Sequence, residues 1–140
     1  MAKPKQIYRK NLLLLLVCFL FCSCDIFYFA QIVNKSGKDI KVEIWYDKEA
    51  LDNLPGKKPV IPYFDEATLV SFDTLNRIGK FKILPNDSLE IDSQRGNRPR
   101  FQFIKKIEVF GIDTIKLKDI DQMKALFKEG KGRFFSFDVK

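Results

Sequence analysis

The chain has 140 residues, a formal net charge of +7, no histidine, and three cysteines that all lie at or before residue 24. Without histidine it lacks the commonest general base near neutral pH, the commonest zinc ligand and any Ser-His or Cys-His nucleophile, and beyond residue 24 it has no thiol for a disulfide, a metal site or covalent catalysis. Four of the positive charges, Lys3, Lys5, Arg9 and Lys10, fall in residues 1–23, which carry no acid, so residues 24–140 keep only +3 and a nucleic-acid partner loses its support.

Those four cations open a leader. From Leu12 to Cys22 the chain is apolar throughout, a stretch of the length expected for the h-region of a secretory signal. Ser23 gives Cys24 the small preceding residue that a signal peptidase accepts, whereas Cys18 follows Val17 and Cys22 follows Phe21. The segment Phe21-Cys22-Ser23-Cys24 resembles a bacterial lipobox, in which Leu, a small or aliphatic residue, and Gly, Ala or Ser precede a lipid-modified Cys. Phe21 stands where Leu is usual, and Cys22 where a smaller residue is commoner. The resemblance implies a lipoprotein signal peptide over 1–23 and lipid attachment, palmitate included, at Cys24. An uncleaved span of ~20 residues would have to run to about Val33 and bury Asp25 near mid-helix, at about 2.5–3.5 kcal/mol. Cleavage without lipidation would instead leave a free thiol at or near the new terminus.

Strand patterning begins immediately after the cysteine. From Ile26 to Val33 nearly every residue is apolar, on both parities, as expected for a strand covered on both faces. Asn34-Lys35-Ser36-Gly37-Lys38 is turn chemistry, and Ile40, Val42, Ile44 and Tyr46 then alternate with Lys41, Glu43 and Trp45, so that these two strands are expected to pair as a hairpin. Asn53-Leu54-Pro55-Gly56, Pro59 and Pro62 mark an irregular loop or edge. Further strands are predicted at Leu69–Thr74, at Lys80–Leu84 with Phe81 and Ile83 inward, and at Leu89–Asp92 after the turn Pro85-Asn86-Asp87-Ser88. Arg95–Arg100 reads as a polar loop. Strands at Phe101–Ile104, Ile107–Phe110 and Thr114–Leu117 follow, the last two joined at Gly111-Ile112-Asp113.

One short helix is expected near the C-terminus, capped by Asp119 or Asp121, with Ile120, Met123, Leu126 and Phe127 on one face and Gly130 as its stop. A final strand, Arg133–Val139, carries Phe135, Phe137 and Val139 on one face. Many short strands without βαβ alternation predict a mainly β fold, an antiparallel β-sandwich of the immunoglobulin-like or transthyretin-like kind. It would form a single domain over residues 24–140, tethered through Cys24 and long enough to bury roughly two-thirds of the unfolded chain's surface.

The Ser-Cys-Asp junction followed at once by a strand, the stretch Ile32-Val33-Asn34-Lys35-Ser36-Gly37-Lys38-Asp39-Ile40, Leu84-Pro85-Asn86-Asp87-Ser88-Leu89 and Phe110-Gly111-Ile112-Asp113-Thr114-Ile115-Lys116 together are similar to the small, mostly uncharacterised envelope lipoproteins of Bacteroidetes-type bacteria. The resemblance spans most of the chain, but its motifs are turns. It implies a small β domain on an envelope lipid and carries no functional residue with it.

Three groups of residues have chemistry to offer. Arg95, Arg98 and Arg100, with Lys105 and Lys106 beyond Phe101 and Phe103, suit phosphate or sulfate, because guanidinium binds such oxyanions in a bidentate way; the blander reading is a solvated loop. Asp47, Glu49, Asp52, Asp65 and Glu66 supply carboxylates for a glycosidase-like pair, although their spacing shows no acid-base pairing. Trp45 with Tyr46, and Tyr63-Phe64, offer a sugar-stacking surface, against which stands a packing role under the proline-rich loop. The expected function is a non-enzymatic, membrane-anchored envelope lipoprotein, outer membrane favoured over inner. Its partners would be the bilayer through acylated Cys24 and an envelope protein or anionic glycan, with no cofactor, metal or nucleic acid. A carboxylate-dependent hydrolase and an envelope immunity or inhibitor protein are the alternatives.

Overall fold

The computed structural model describes residues 26–53 and 68–140. Cys24 and the leader, and the 54–67 segment with Tyr63, Phe64, Asp65 and Glu66, lie outside the described residues. In chain order the elements are β1 (Phe27–Asn34), β2 (Ile40–Tyr46), α1 (Lys48–Asp52), β3 (Leu69–Asp73), β4 (Ile78–Ile83), β5 (Ser88–Arg95), β6 (Ile104–Phe110), β7 (Thr114–Leu117), α2 (Ile120–Leu126), β8 (Lys128–Glu129) and β9 (Phe134–Val139). The fold is mainly β, as the strand-turn pattern requires. No helix among the described residues is long and apolar enough to cross a membrane.

The strands form a four-stranded sheet of order β5-β1-β9-β8 and a five-stranded sheet of order β3-β4-β2-β6-β7. Alternation along each strand sends one parity into the space between the sheets. Ala30, Ile32, Leu89, Phe135, Phe137 and Val139 come from the first sheet, and Ile40, Val42, Ile44, Phe81, Ile83, Ile107 and Val109 from the second, all of them buried. With no cysteine beyond residue 24, this packing carries the fold, each large apolar side chain contributing about 1.5–3 kcal/mol on burial.

Several local expectations give way to the structure. β1 and β2 are not a hairpin: β1 pairs with β5 and β9, β2 with β4 and β6. The turn between them carries the chain from one sheet to the other. Its pivot is Asn34, wholly buried, whose Nδ2 donates to Lys38 O at 2.7 Å and Ile83 O at 2.9 Å, while Oδ1 accepts from Ser36 N at 3.0 Å and Ser36 Oγ at 2.7 Å. Because Ile83 ends β4, this one side chain ties the two sheets together at that end.

β1 runs parallel to β9, from Phe29 opposite Phe134 to Asn34 opposite Val139, whereas the other pairings among described strands are antiparallel. Nor is β1 covered on both faces: Phe27, on its outer face, is 41% exposed. Among the described residues there are two short helices rather than one, since Asp47, whose side chain accepts from Ala50 N, caps α1. α2 starts at Asp119, one of the two expected caps, but ends at Leu126, before Gly130, because Phe127 turns extended to enter β8. Leu126 points away from the core, 38% exposed, while Met123 and Phe127 are buried. Phe101–Ile104 is no strand either. Phe101 sits in the left-handed region at φ 55°, and β6 begins only at Ile104.

Candidate functional site

The turn at Asn34 lies at the same end of the sandwich as the β4–β5 turn, bonded to it through Asn34 N to Asp87 O and Asn86 N to Asn34 O. The opposite end gathers the start of β1, the β5–β6 loop, α2, β8 and the start of β9. There the chain leaves β5 at Arg95 and turns through Gly96, whose φ of 69° needs a residue without Cβ. Gly96 N donates to Ile26 O at 2.6 Å, fixing the loop to the first described residue.

The rest of the loop is anchored on Phe101. Its N–H donates to Asp92 Oδ2 at 2.8 Å, and its buried ring packs on Phe127 at 5.1 Å between centroids; Phe127 in turn meets Phe137 at 5.8 Å. Burial raises the pKa of Asp92 above the ordinary carboxylate value, partly offset by backbone donors at Phe101, Arg100 and Ser93. Glu90 is also raised, by burial and then by the neighbouring Asp92 charge.

Between this loop and the α2–β8 segment lies a cavity of about 570 Å³, its basic rim formed by Arg98, Arg100, Lys124 and Lys128 and its apolar wall by Phe127 and Phe135. One carboxylate, Glu129, also lines it. Arg98 is held twice: its Nη2 donates to Glu129 Oε2 at 2.9 Å, and its guanidinium lies 5.5 Å from the Phe135 ring centre. Both partners of that ion pair are exposed, at 73% and 53% of their side chains, so the pair is weak and Glu129 is a replaceable counter-ion. The chemistry is that of an oxyanion site with an apolar wall.

The predicted arginines therefore divide. Arg98 and Arg100 line the pocket; Arg95 does not, and lies opposite Phe27 in the β1–β5 register, at the edge of the sheet's outer face. Lys105 and Lys106 belong to β6 in the other sheet. Sequence reading missed Lys124 and Lys128, which come from α2 and β8. Their spacing of four residues was the available signal, but nothing local points them toward an arginine loop some 25 residues earlier.

Trp45 belongs to a different surface, the outer face of the five-stranded sheet, where Lys106 Nζ stands 3.9 Å from its ring centre. Beside it, Glu108 takes Lys106 at 2.8 Å and Lys116 at 3.3 Å, and these lysines lower its pKa. Trp45 thus stacks on a cation within a charged ladder, apart from the arginine pocket. Of the carboxylates, Asp47 caps α1 and Asp52 accepts from Arg77 Nη2 at 3.2 Å. Among the described residues no group of His, Cys, Asp and Glu is arranged to hold a metal ion. Comparison with family models, with curated proteins and with solved structures returns no match for this chain, so the site is read on its own chemistry.

Proposed function

We propose that this chain is a lipid-anchored envelope lipoprotein, held through acylated Cys24, whose β-sandwich is a non-enzymatic binding module for an anionic envelope partner, a protein or a glycan. The leader pattern supports the anchor. The pocket supports the binding: four cations from three segments of the chain meet over phenylalanine rings, with a single exposed carboxylate among them. A hydrolase of the two-carboxylate kind would want two facing acids there, and the lining offers one.

Two measurements test this. Mass spectrometry of the mature protein is expected to find Cys24 first and carrying diacylglycerol; an intact leader or an unmodified terminus overturns the anchor. For the pocket, the protein is titrated with a sulfated polysaccharide and with a phosphorylated glycolipid. Replacing Arg98, Arg100, Lys124 and Lys128 by Gln should weaken binding by more than about tenfold at low salt, since hydrogen bonds to charged groups contribute about 1.5–3 kcal/mol each. Lys41→Gln, exposed on β2 of the other sheet and outside the cavity, should leave it unchanged. Equal binding by the fourfold variant at every salt concentration removes the pocket from the reading.

A further inference from the structure

We infer that the outer face of the four-stranded sheet, at the end where β1 begins, rests on an anionic bilayer surface, with Phe27 and Phe134 in the headgroup boundary and Ile26 exposed at the same end. This rests on the lipid-anchor reading of Cys24 and goes beyond it, since an anchor alone leaves the domain free to tumble.

The patch is built by register. Phe29 and Phe134 are opposite each other in the parallel β1–β9 ladder, and their rings stack at 5.5 Å on the outer face. Phe27 continues that face two residues earlier. Ile26, Phe27 and Phe134 are exposed at 41%, 41% and 42%. Other exposed large apolar residues, such as Val70, Leu84 and Ile112, are scattered, which is ordinary for a soluble surface. Two aromatic residues on one face, with Ile26 exposed at the same end, make a patch that calls for an occupant.

Position and charge select the bilayer as that occupant. Only Asp25 separates Cys24 from Ile26, and two residues reach at most about 7 Å. An acyl chain on Cys24 therefore brings the patch within a headgroup's depth of the membrane. Cations flank it on both sides: Arg95 lies opposite Phe27 in the β1–β5 register, and Arg133, exposed, immediately precedes Phe134. Lys131 is exposed in the same β8–β9 loop. Aromatic rings at the interface with Lys and Arg over lipid phosphates are the pattern by which a domain lies on a membrane. The arginine pocket, opening at the same end through Arg98 and Arg100, then stands beside the headgroup layer.

The test uses the full processed protein in vesicles of phosphatidylethanolamine and phosphatidylglycerol. Beyond Cys24 the chain has no thiol, so Phe27→Cys, Phe134→Cys and Ile112→Cys each introduce one site for an environment-sensitive fluorophore. Ile112 sits in the β6–β7 turn at the opposite end of the sandwich. With brominated lipids, emission is expected to be lost at positions 27 and 134 and retained at 112; circular dichroism confirms that each variant is folded. Labels at 27 and 134 that stay in water on an acylated, membrane-bound protein overturn the docking alone. Labels shielded from water but untouched by brominated lipid also overturn it, in favour of a second copy or another protein on the patch. An unacylated terminus found by mass spectrometry overturns the anchor and this inference with it.

Discussion

Asp92 and Phe101 are joined by a single hydrogen bond, Phe101 N–H to Asp92 Oδ2 at 2.8 Å, that holds a phenylalanine in a backbone conformation natural to glycine. The bond spans the loop carrying Arg98 and Arg100, so the position of the pocket's arginines depends on it.

Replacing Asp92 separates its acceptor role from its charge. Asp92→Ala leaves the Phe101 N–H without its partner and is expected to cost about 1–3 kcal/mol and to weaken anion binding as the loop loosens. Asp92→Asn keeps an acceptor and should hold both. Since the native carboxyl's pKa is raised, the folded state keeps its proton longer than the unfolded chain, and stability falls as pH rises through the window above the ordinary Asp value. The Asn variant should lose that fall. Urea midpoints across pH for the three proteins decide the matter.

Asn34 is expected to be among the most sensitive polar positions. Asn34→Ala leaves Ile83 O without its side-chain donor and opens the β1–β2 turn, at about 1–3 kcal/mol for each buried group left unpaired. Asn34→Asp should be worse at neutral pH, since it puts a buried negative charge against two carbonyls, and should recover in part on acidification, when one oxygen becomes a donor. Chemical denaturation of both variants measures this; equal stability to the parent would show that the crossover does not depend on its side chain.

Glu108 stands directly opposite Glu43 in the β2–β6 register, and like charges there would repel but for Lys80 on Glu43 and the lysine pair on Glu108. Its pKa is lowered, first by the hydrogen bond from Lys106. The stability it gives is therefore present above its ordinary value of 4.5 and lost as pH falls below it. Glu108→Gln should flatten that acid limb. Lys106→Met should also change the emission of Trp45, the sole tryptophan, by removing the cation from its ring.

What the sequence made legible was parity. The alternation from Ile40 to Tyr46, and Phe135, Phe137 and Val139 at the other end, named the buried faces, and Asp119 named a helix start. Parity does not say which strand lies alongside. Asn34-Lys35-Ser36-Gly37-Lys38 has the composition of a hairpin turn, and only the burial of Asn34 against β4 makes it a crossover between sheets. The parallel neighbour of β1 comes from the last strand, over a hundred residues away, and no local pattern points to it. The pocket was half legible, because Arg98 and Arg100 are two residues apart in sequence while Lys124 and Lys128 arrive through the packing of Phe101 on Phe127.

The place of β1 in its sheet also sets how the domain bears a pull. β1 is interior, laddered to β5 along one edge and to β9 along the other. Tension entering at Ile26 along the strand meets hydrogen bonds lying across its direction, so the two ladders are loaded together in shear rather than opened one bond at a time. An edge strand at that position would share the load with one ladder only. A domain hung from its N-terminal side is thus gripped on both flanks where the force enters.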